Sequence, residues 1–182
     1  CEADEDLIVP LLEAASLLQI QALLEAAGDA IAARLSRDSC IGAWGLGTRY
    51  GLPSLVAAAQ QQTLRCFMEL PEDALVAMPQ PTLCTLLAQD ELVAQDEQAV
   101  FARLVQWHAG QSTPPTQQQL LELLKLVRFP LMPSVFVKSA MASPLMATVE
   151  AQQVLTTSLL EARDTPTKRR RSVQWRFTEG SL

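Results

Sequence analysis

Residues 89–107 read QDELVAQDEQAVFARLVQW, and this stretch decides the fold class. After Asp96, the apolar side chains that recur at helical spacing are Val100, Phe101, Leu104 and Trp107. Such spacing places them on one face of an α-helix. An Asp immediately before a run of this kind accepts hydrogen bonds from the free N–H groups at the start of a helix. The stretch therefore predicts a helix that begins after Asp96 and buries Trp107.

The same apolar periodicity extends outward in both directions. It predicts further helices over residues 7–19, 20–35, 39–49, a segment ending near Phe67, 83–89, 117–127, 134–142 and 149–162. Residues 109–116, AGQSTPPT, form a polar loop between two of them. Helices this short, joined by short loops, pack as antiparallel hairpins. We therefore expect an all-α fold of stacked, solenoid-like helical hairpins over residues 7–162.

The first two predicted helices have clear apolar faces. In residues 7–19 the face consists of Leu7, Ile8, Leu11, Leu12, Ala15 and Leu18. In residues 20–35 it consists of Ile20, Leu23, Leu24, Ala27, Ile31 and Leu35. Pro10 is expected in the first turn of its helix, where a missing N–H does no harm.

Charge is distributed unevenly along the chain. Residues 1–100 hold 15 acidic and 4 basic residues, a net charge of −11, whereas residues 101–182 carry a net charge of +5. The acidic bulk excludes a broad nucleic-acid surface, because phosphate binding needs a basic face. The basic excess includes the run Lys168, Arg169, Arg170 and Arg171. This run is a candidate nuclear-import signal, and its alternative interpretation is a solvated linker over residues 163–172.

The sequence offers no catalytic or metal-binding constellation. The cysteines at positions 1, 40, 66 and 84 are far apart, and His108 is the single histidine. That spacing does not suit a zinc site, so we expect buried, reduced thiols in an intracellular compartment. Asp90 with Glu91, and Asp96 with Glu97, are interpreted as acids at helix starts. We therefore predict a protein that is not an enzyme, with no cofactor and no membrane span.

The two ends of the chain differ from the helical region. Residues 1–6 are acidic and the chain begins with Cys rather than Met, so we expect a fragment of a longer protein. Near the other end, Val173, Trp175 and Phe177 alternate with polar residues. This period of two is typical of a strand. Residues 173–182 are thus expected to be either the start of a truncated following domain, the substrate reader, or a disordered tail.

Four segments in order resemble the BACK domain of BTB–BACK proteins of the Kelch-like type. They are LLEAASLLQI (11–20), RDSCIGAWGLGTRYGLPSL (37–55), the stretch 89–107 and VRFPLM (127–132). The residues that carry the resemblance are Ala15, Leu18, Gln19, Cys40, Tyr50, Leu55, Leu92, Glu97, Phe101, Trp107, Val127, Arg128, Pro130 and Leu131. Arg128 is expected to bond the last carbonyls of its own helix, a structural role.

The resemblance implies a non-catalytic substrate adaptor of a cullin-three type ubiquitin ligase. In such proteins a BTB domain, absent from residues 1–182, binds cullin and forms the homodimer, and a C-terminal domain binds the protein substrate. The first helix pair, residues 7–35, completes the cullin groove, and Leu17, Gln21 and Leu24 are our candidates for that contact. Alternatively, these residues pack against the BTB domain.

Two other function classes remain open at this point. One is a BTB–BACK scaffold, transcriptional or cytoskeletal, without a ligase role. The other is a stand-alone helical regulator with a nuclear signal. The expected location is the cytoplasm, with the nucleus as the alternative if the basic run at Lys168–Arg171 is a functional signal.

Overall fold

The structure, a computed structural model, describes residues 5–162, 167, 168 and 170, with side chains from residue 8 onward. Every regular element in these residues is helical, which confirms the all-α prediction. The strand-like segment at 173–182 and residues 1–4 lie outside the described part. The helical region divides into two compact units, Cys1–Ala74 and Leu75–Leu182.

The first unit is built from four helices. They are α1 (Glu5–Leu17), α2 (Gln21–Ala32), α3 (Cys40–Tyr50) and α4 (Pro53–Cys66), followed by a 3₁₀ turn at Phe67–Glu69. Helix α1 packs on α2, α3 packs on α4, and α2 contacts both α3 and α4. Consecutive helices are therefore neighbours, as their short connections predicted.

The core of the first unit consists of equal numbers of leucine and alanine side chains. Its buried members are Leu12, Ala15, Leu24, Ala27, Ala43, Leu52, Leu55 and Ala59. Helices α3 and α4 approach closely at Gly47, where an added Cβ would lie 2.9 Å from Cγ2 of Val56 and 3.1 Å from its backbone N. Gly51, at φ 65°, then ends α3 in the left-handed conformation that glycine adopts without strain.

Two expectations for α1 are wrong. Pro10 lies inside the helix rather than in its first turn, because α1 already begins at Glu5. Proline cannot donate the hydrogen bond to the carbonyl four residues earlier, so this position weakens the helix. Leu18, predicted on the apolar face, is 68% exposed, because α1 ends at Leu17 and the chain turns there.

The second unit contains the remaining helices. Helix α5 (Glu72–Val76) spans the boundary, and it is followed by α6 (Gln80–Ala88), α7 (Glu97–Gly110), α8 (Gln117–Lys125), α9 (Ser134–Ala140) and α10 (Val149–Glu161). Two 3₁₀ turns, Phe129–Leu131 and Pro144–Met146, flank α9. Helix α8 contacts both α6 and α10, and α10 also contacts both turns.

The helix that decided the fold class forms as predicted. Oδ1 of Asp96 accepts a hydrogen bond from the N–H of Ala99 at 2.8 Å, which confirms the predicted start of α7. Trp107 is buried, and its Nε1 donates to the carbonyl of Met78 at 2.9 Å. Helix α7 runs on to Gly110, so the polar loop starts at residue 111 rather than 109.

An aromatic cluster ties the VRFPLM segment to α7. The ring of Phe101 meets those of Phe129 and Phe136 edge-on, each at 6.1 Å between centroids. Phe129 is completely buried. Since edge-to-face pairs add to the free energy gained by burial, this cluster fixes the turn at Phe129–Leu131 onto the core of the second unit.

Candidate functional site

The first candidate site is an apolar surface where α1 turns into α2. Its centre consists of Leu17, Leu18 and Ile20, which are 84%, 68% and 44% exposed. Val9 and Leu11 on α1 are also exposed large apolar residues. We call Leu17, Leu18 and Ile20 the apolar turn. Clustered apolar side chains that face solvent mark a contact surface.

The backbone of the turn explains why these side chains point outward. Gln19 adopts φ 55°, the left-handed conformation that commonly ends a helix. The N–H of Ile20 then donates to the carbonyl of Ala15 at 2.9 Å, and that of Leu18 donates to Ala14 at the same distance. A non-glycine residue held in this conformation costs roughly 1 kcal/mol. The turn is thus fixed by hydrogen bonds that leave Leu17 and Leu18 in solvent.

The three cullin-contact candidates are not equivalent. Leu17 is the most exposed large apolar residue of the turn, and Gln21 is exposed with its Nε2 donating to Oε1 of Glu25 at 2.9 Å. Leu24 is only 7% exposed and belongs to the core of the first unit. Leu24 thus lies on the predicted apolar face of α2, and its choice as a cullin-contact residue is wrong, because its side chain packs against the other helices.

The second candidate site is a cluster of charged residues in the second unit. We define the charged cluster as Asp90, Glu97, Arg128, Lys168 and Arg170. The side chains of Glu97 and Arg170 are each 4% exposed, and Oε1 of Glu97 lies 2.6 Å from Nε of Arg170. Buried charges of this kind are stable only when they are paired and fully hydrogen-bonded.

Arg170 makes further contacts with backbone carbonyls. Its Nη1 donates to the carbonyls of Leu87 at 2.6 Å and Gln89 at 3.0 Å, and its Nη2 donates to Leu126 at 2.9 Å. These carbonyls belong to the C-terminal ends of α6 and α8. The last carbonyls of a helix lack intrahelical partners and form the negative end of its dipole. The guanidinium therefore sits in a socket of one carboxylate and three carbonyls.

Arg128 is placed differently from the prediction. Its Nη2 donates to Oδ1 of Asp90 at 2.7 Å, and its Nη1 donates to the carbonyl of Lys168 at 2.9 Å. The residue thus does not bond the last carbonyls of its own helix, since α8 ends at Lys125 and the intervening residues turn Arg128 toward the end of α6. Its hydrogen bonds join the end of α6, the start of α7 and Lys168, in keeping with a structural role.

Two expectations about charged residues are corrected by the cluster. Asp90 does not lie at a helix start: it follows the end of α6 and pairs with Arg128 and with Nζ of Lys168 at 3.2 Å. The basic run was expected to be solvated, and this fails for Arg170, whose guanidinium is buried in its socket. Lys168 is exposed, while Arg169 and Arg171 lie outside the described residues.

The electrostatic environment of the cluster shifts the pKa values of Asp90 and Arg170. Hydrogen bonds from Lys168 and then Arg128 lower the pKa of Asp90 below its usual range. Burial lowers the pKa of Arg170, and the neighbouring Glu97 carboxylate opposes that shift. Since an Arg pKa starts so high, the guanidinium stays charged at neutral pH. The shift of Asp90 has the sign expected of an ion pair, whereas that of Arg170 has the sign expected of burial.

A buried thiol pair lies in the first unit. Sγ of Cys40, at the start of α3, is 3.8 Å from Sγ of Cys66, at the end of α4. A hydrogen bond from Cys66 lowers the pKa of Cys40 to about 6, and the same contact together with burial raises the pKa of Cys66. The two thiols therefore share one proton more readily than two separate cysteines would.

The residues that carried the resemblance are mostly core residues. Buried in the structure are Ala15, Cys40, Leu55, Leu92, Glu97, Phe101, Trp107 and Val127. Tyr50, Arg128, Pro130 and Leu131 are half-buried, whereas Leu18 and Gln19 are exposed at the apolar turn. The sequence analysis did not predict the pairing of Glu97 with Arg170. The one sequence feature consistent with it is the opposite net charge of residues 1–100 and 101–182.

The described residues hold neither a cluster of metal ligands nor a membrane-spanning helix. Among them, no three His, Cys, Asp or Glu side chains are gathered as metal ligands. No helix within the described ranges is both long enough and apolar enough to cross a membrane.

Comparison with known proteins identifies the family. Residues 40–142 match the family described as BACK, BTB And C-terminal Kelch. Kelch-like protein 4 of Homo sapiens is 30% identical over 130 residues, which are 71% of this chain and 18% of that protein. Kelch-like protein 25 of Homo sapiens is 29% identical over 134 residues, and Kelch-like protein 21 of Rattus norvegicus is 31% identical over 121 residues. The chain spans only about a fifth of the length of these relatives, covering 23% and 20% of the latter two. The chain therefore belongs to the BACK family and is similar to the BACK domain of Kelch-like proteins.

Proposed function

We propose that this chain is the non-catalytic BACK region of an adaptor for a cullin-three type ubiquitin ligase. In this proposal a BTB domain precedes the chain, forms a homodimer and supplies most of the cullin contact. A domain that follows the chain binds the protein substrate. In this proposal the BACK region connects the cullin-binding domain to the substrate-binding domain.

The apolar turn is the observation that carries the proposal. It places Leu17, Leu18 and Ile20 in solvent on a turn that backbone hydrogen bonds close. A rigid apolar surface binds a partner without a large loss of conformational entropy. Gln21 lies beside it and adds an exposed polar group at the rim. We propose that these four residues, without Leu24, complete the groove that receives cullin.

The proposal is tested with a protein in which the BTB domain precedes this chain. Tagged wild-type protein and a Leu17→Ala, Leu18→Ala variant are expressed in cells, and captured cullin is quantified. Val135→Ala is the matched control, because Val135 is 80% exposed on α9 in the other unit. We expect the double variant to capture several-fold less cullin and the control to capture the wild-type amount.

The outcomes separate the alternatives that the sequence left open. If the wild-type protein captures no cullin, the chain belongs to a scaffold without a ligase role. If the double variant captures cullin normally but unfolds at a lower temperature, the apolar turn packs against the BTB domain instead. Apolar surface buried within one protein contributes to its stability, whereas surface buried only in the complex does not.

A further inference from the structure

The socket that holds Arg170 is built for a cation and is unusually complete. Four donor–acceptor contacts, to Glu97, Leu87, Gln89 and Leu126, satisfy most of the five N–H groups of the guanidinium. Oε2 of Glu97 also accepts from the N–H of Arg128 at 3.4 Å. Such saturation is what makes a buried ion pair tolerable.

The socket would be costly to leave empty. Glu97 is buried at the start of α7, so an uncompensated carboxylate there would lose its water without gaining a cation. Three carbonyls aimed at the same point would add to the negative potential. The state in which Arg170 occupies the socket is therefore favoured strongly over the open state.

A second attachment holds the same segment two residues earlier. Nζ of Lys168 pairs with Asp90, and the carbonyl of Lys168 accepts from Arg128. Arg128 is itself anchored by Asp90. Lys168 is thus held through both its side chain and its backbone carbonyl, and Arg170 is held through its side chain.

These contacts involve two of the four cations of the basic run. A protein that reads such a run does so with acidic groups that pair with several consecutive cations. Here Glu97 and Asp90 already occupy that role within the chain. A reader would have to extract Arg170 from its socket before it could bind the run.

We propose that Arg170 is an intramolecular latch, which withholds its own guanidinium, and with it the neighbouring Lys168, from the acidic groove of a nuclear-import receptor. While the latch is closed, the run cannot act as an import signal. Opening it, through loss of the Glu97 contact, converts the same residues into a readable signal.

The closed state is tested first by chemical modification of arginine. The purified 182-residue chain is treated with phenylglyoxal, and modification of individual arginines is followed by mass spectrometry. Arg37 serves as the exposed reference, with 59% of its side chain exposed. We expect Arg170 to react roughly tenfold more slowly than Arg37, because local opening must precede its reaction. Equal rates for the two residues would overturn the latch.

The gating role is tested with matched variants. Glu97→Gln removes the buried charge, while Glu91→Gln removes an exposed charge in the same segment. Each is fused to two tandem fluorescent proteins, so that passive entry into the nucleus is prevented. We expect Glu97→Gln to raise both the reactivity of Arg170 and the nuclear fraction several-fold, and Glu91→Gln to change neither.

A second variant tests the same role in case Glu97→Gln unfolds the protein. Asp90→Asn leaves Glu97 intact and loosens the attachment at Lys168, so we expect a smaller increase in the same two quantities. Circular dichroism establishes that each variant keeps its helical content. If either variant frees Arg170 for modification while the nuclear fraction stays at the wild-type value, the masking role is disproved.

Discussion

Nε of Arg170 lies 2.6 Å from Oε1 of Glu97, although 73 residues separate them and both side chains are almost completely buried. Glu97 belongs to the stretch 89–107 that decides the fold class, and Arg170 belongs to the basic run that could also be interpreted as a solvated linker. This pair joins the end of the described chain to the start of α7. The uneven distribution of charge along the sequence therefore contributes to the fold, because Asp90 and Glu97 form ion pairs with Lys168 and Arg170.

The contact between Trp107 and Met78 yields the first prediction. Trp107→Ala removes a buried ring and should lower the free energy of unfolding by about 3–5 kcal/mol. Trp107→Phe keeps much of the apolar contact but loses the donor to the Met78 carbonyl, so the cost should be smaller. Chemical denaturation of the two variants measures both values. An unchanged unfolding midpoint for Trp107→Ala would show that this ring is not a core anchor.

Alanine substitutions at two glycines of α3 should change the stability of the protein in opposite directions. An added Cβ at Gly47 would crowd Val56, whereas one at Gly45 would meet open space. Gly45→Ala should stabilise the protein by about 0.5–1 kcal/mol through helix propensity. Gly47→Ala should destabilise it by about 1–3 kcal/mol, because α3 and α4 would have to separate. Thermal unfolding of both variants is the measurement, and equal shifts in the same direction would exclude the close approach.

Arg128 is predicted to stabilise the second unit rather than to bind a ligand. Arg128→Ala removes the pair with Asp90 and the bond to the Lys168 carbonyl, so the melting temperature should fall by several degrees. Lys138→Ala, an exposed cation on α9, is the matched control and should leave it unchanged. Loss of partner binding by Arg128→Ala at unchanged stability would contradict the structural role.

The thiol pair predicts a specific pH dependence. The folded pKa of Cys40, about 6, lies below the ordinary value of 9.0, so its ionisation adds stability that is complete above pH 9.0 and lost as the pH falls through about 6. The raised pKa of Cys66 acts in the opposite sense, since its stability is lost as the pH rises above 9.0. The pair should therefore stabilise the fold most near pH 9.0, where the contribution of Cys40 is complete and that of Cys66 is not yet lost.

Thiolate absorbance measures the shared proton directly. The wild-type chain should show one thiolate forming near pH 6, and Cys66→Ala should move that step toward 9.0. Cys84→Ser is the control, because Cys84 lies apart from the pair in the other unit and its own pKa is raised by burial. A wild-type titration without a step below pH 9.0 would disprove the coupling.

Local periodicity predicted the helices of this protein and most of its core. Asp96 and Trp107 show why: a cap and a helical face depend on residues within a few positions of one another. Leu18 shows where local periodicity fails. It continues the apolar pattern of the first helix, yet it faces solvent, because a turn at Gln19 ended that helix.

The charged cluster could not be derived from local patterns. Asp90 and Glu97 resemble ordinary solvated acids, and Lys168 and Arg170 resemble part of a solvated basic run. Their roles depend on contacts between segments more than 70 residues apart, such as the 73 residues between Glu97 and Arg170. Long-range pairing of this kind follows from packing, and the sequence showed only the imbalance of charge.

The central claim is that the apolar turn completes a cullin groove that a BTB domain mainly forms. The most direct test is a calorimetric titration of the amino-terminal domain of a cullin-three type protein with three proteins: the chain alone, the protein that includes the BTB domain, and the double variant of the latter. The account predicts no measurable binding by the 182-residue chain alone, firm binding by the protein that includes the BTB domain, and roughly tenfold weaker binding when that protein carries Leu17→Ala and Leu18→Ala. Tight binding by the chain alone, or identical affinities with and without the two substitutions, would contradict it.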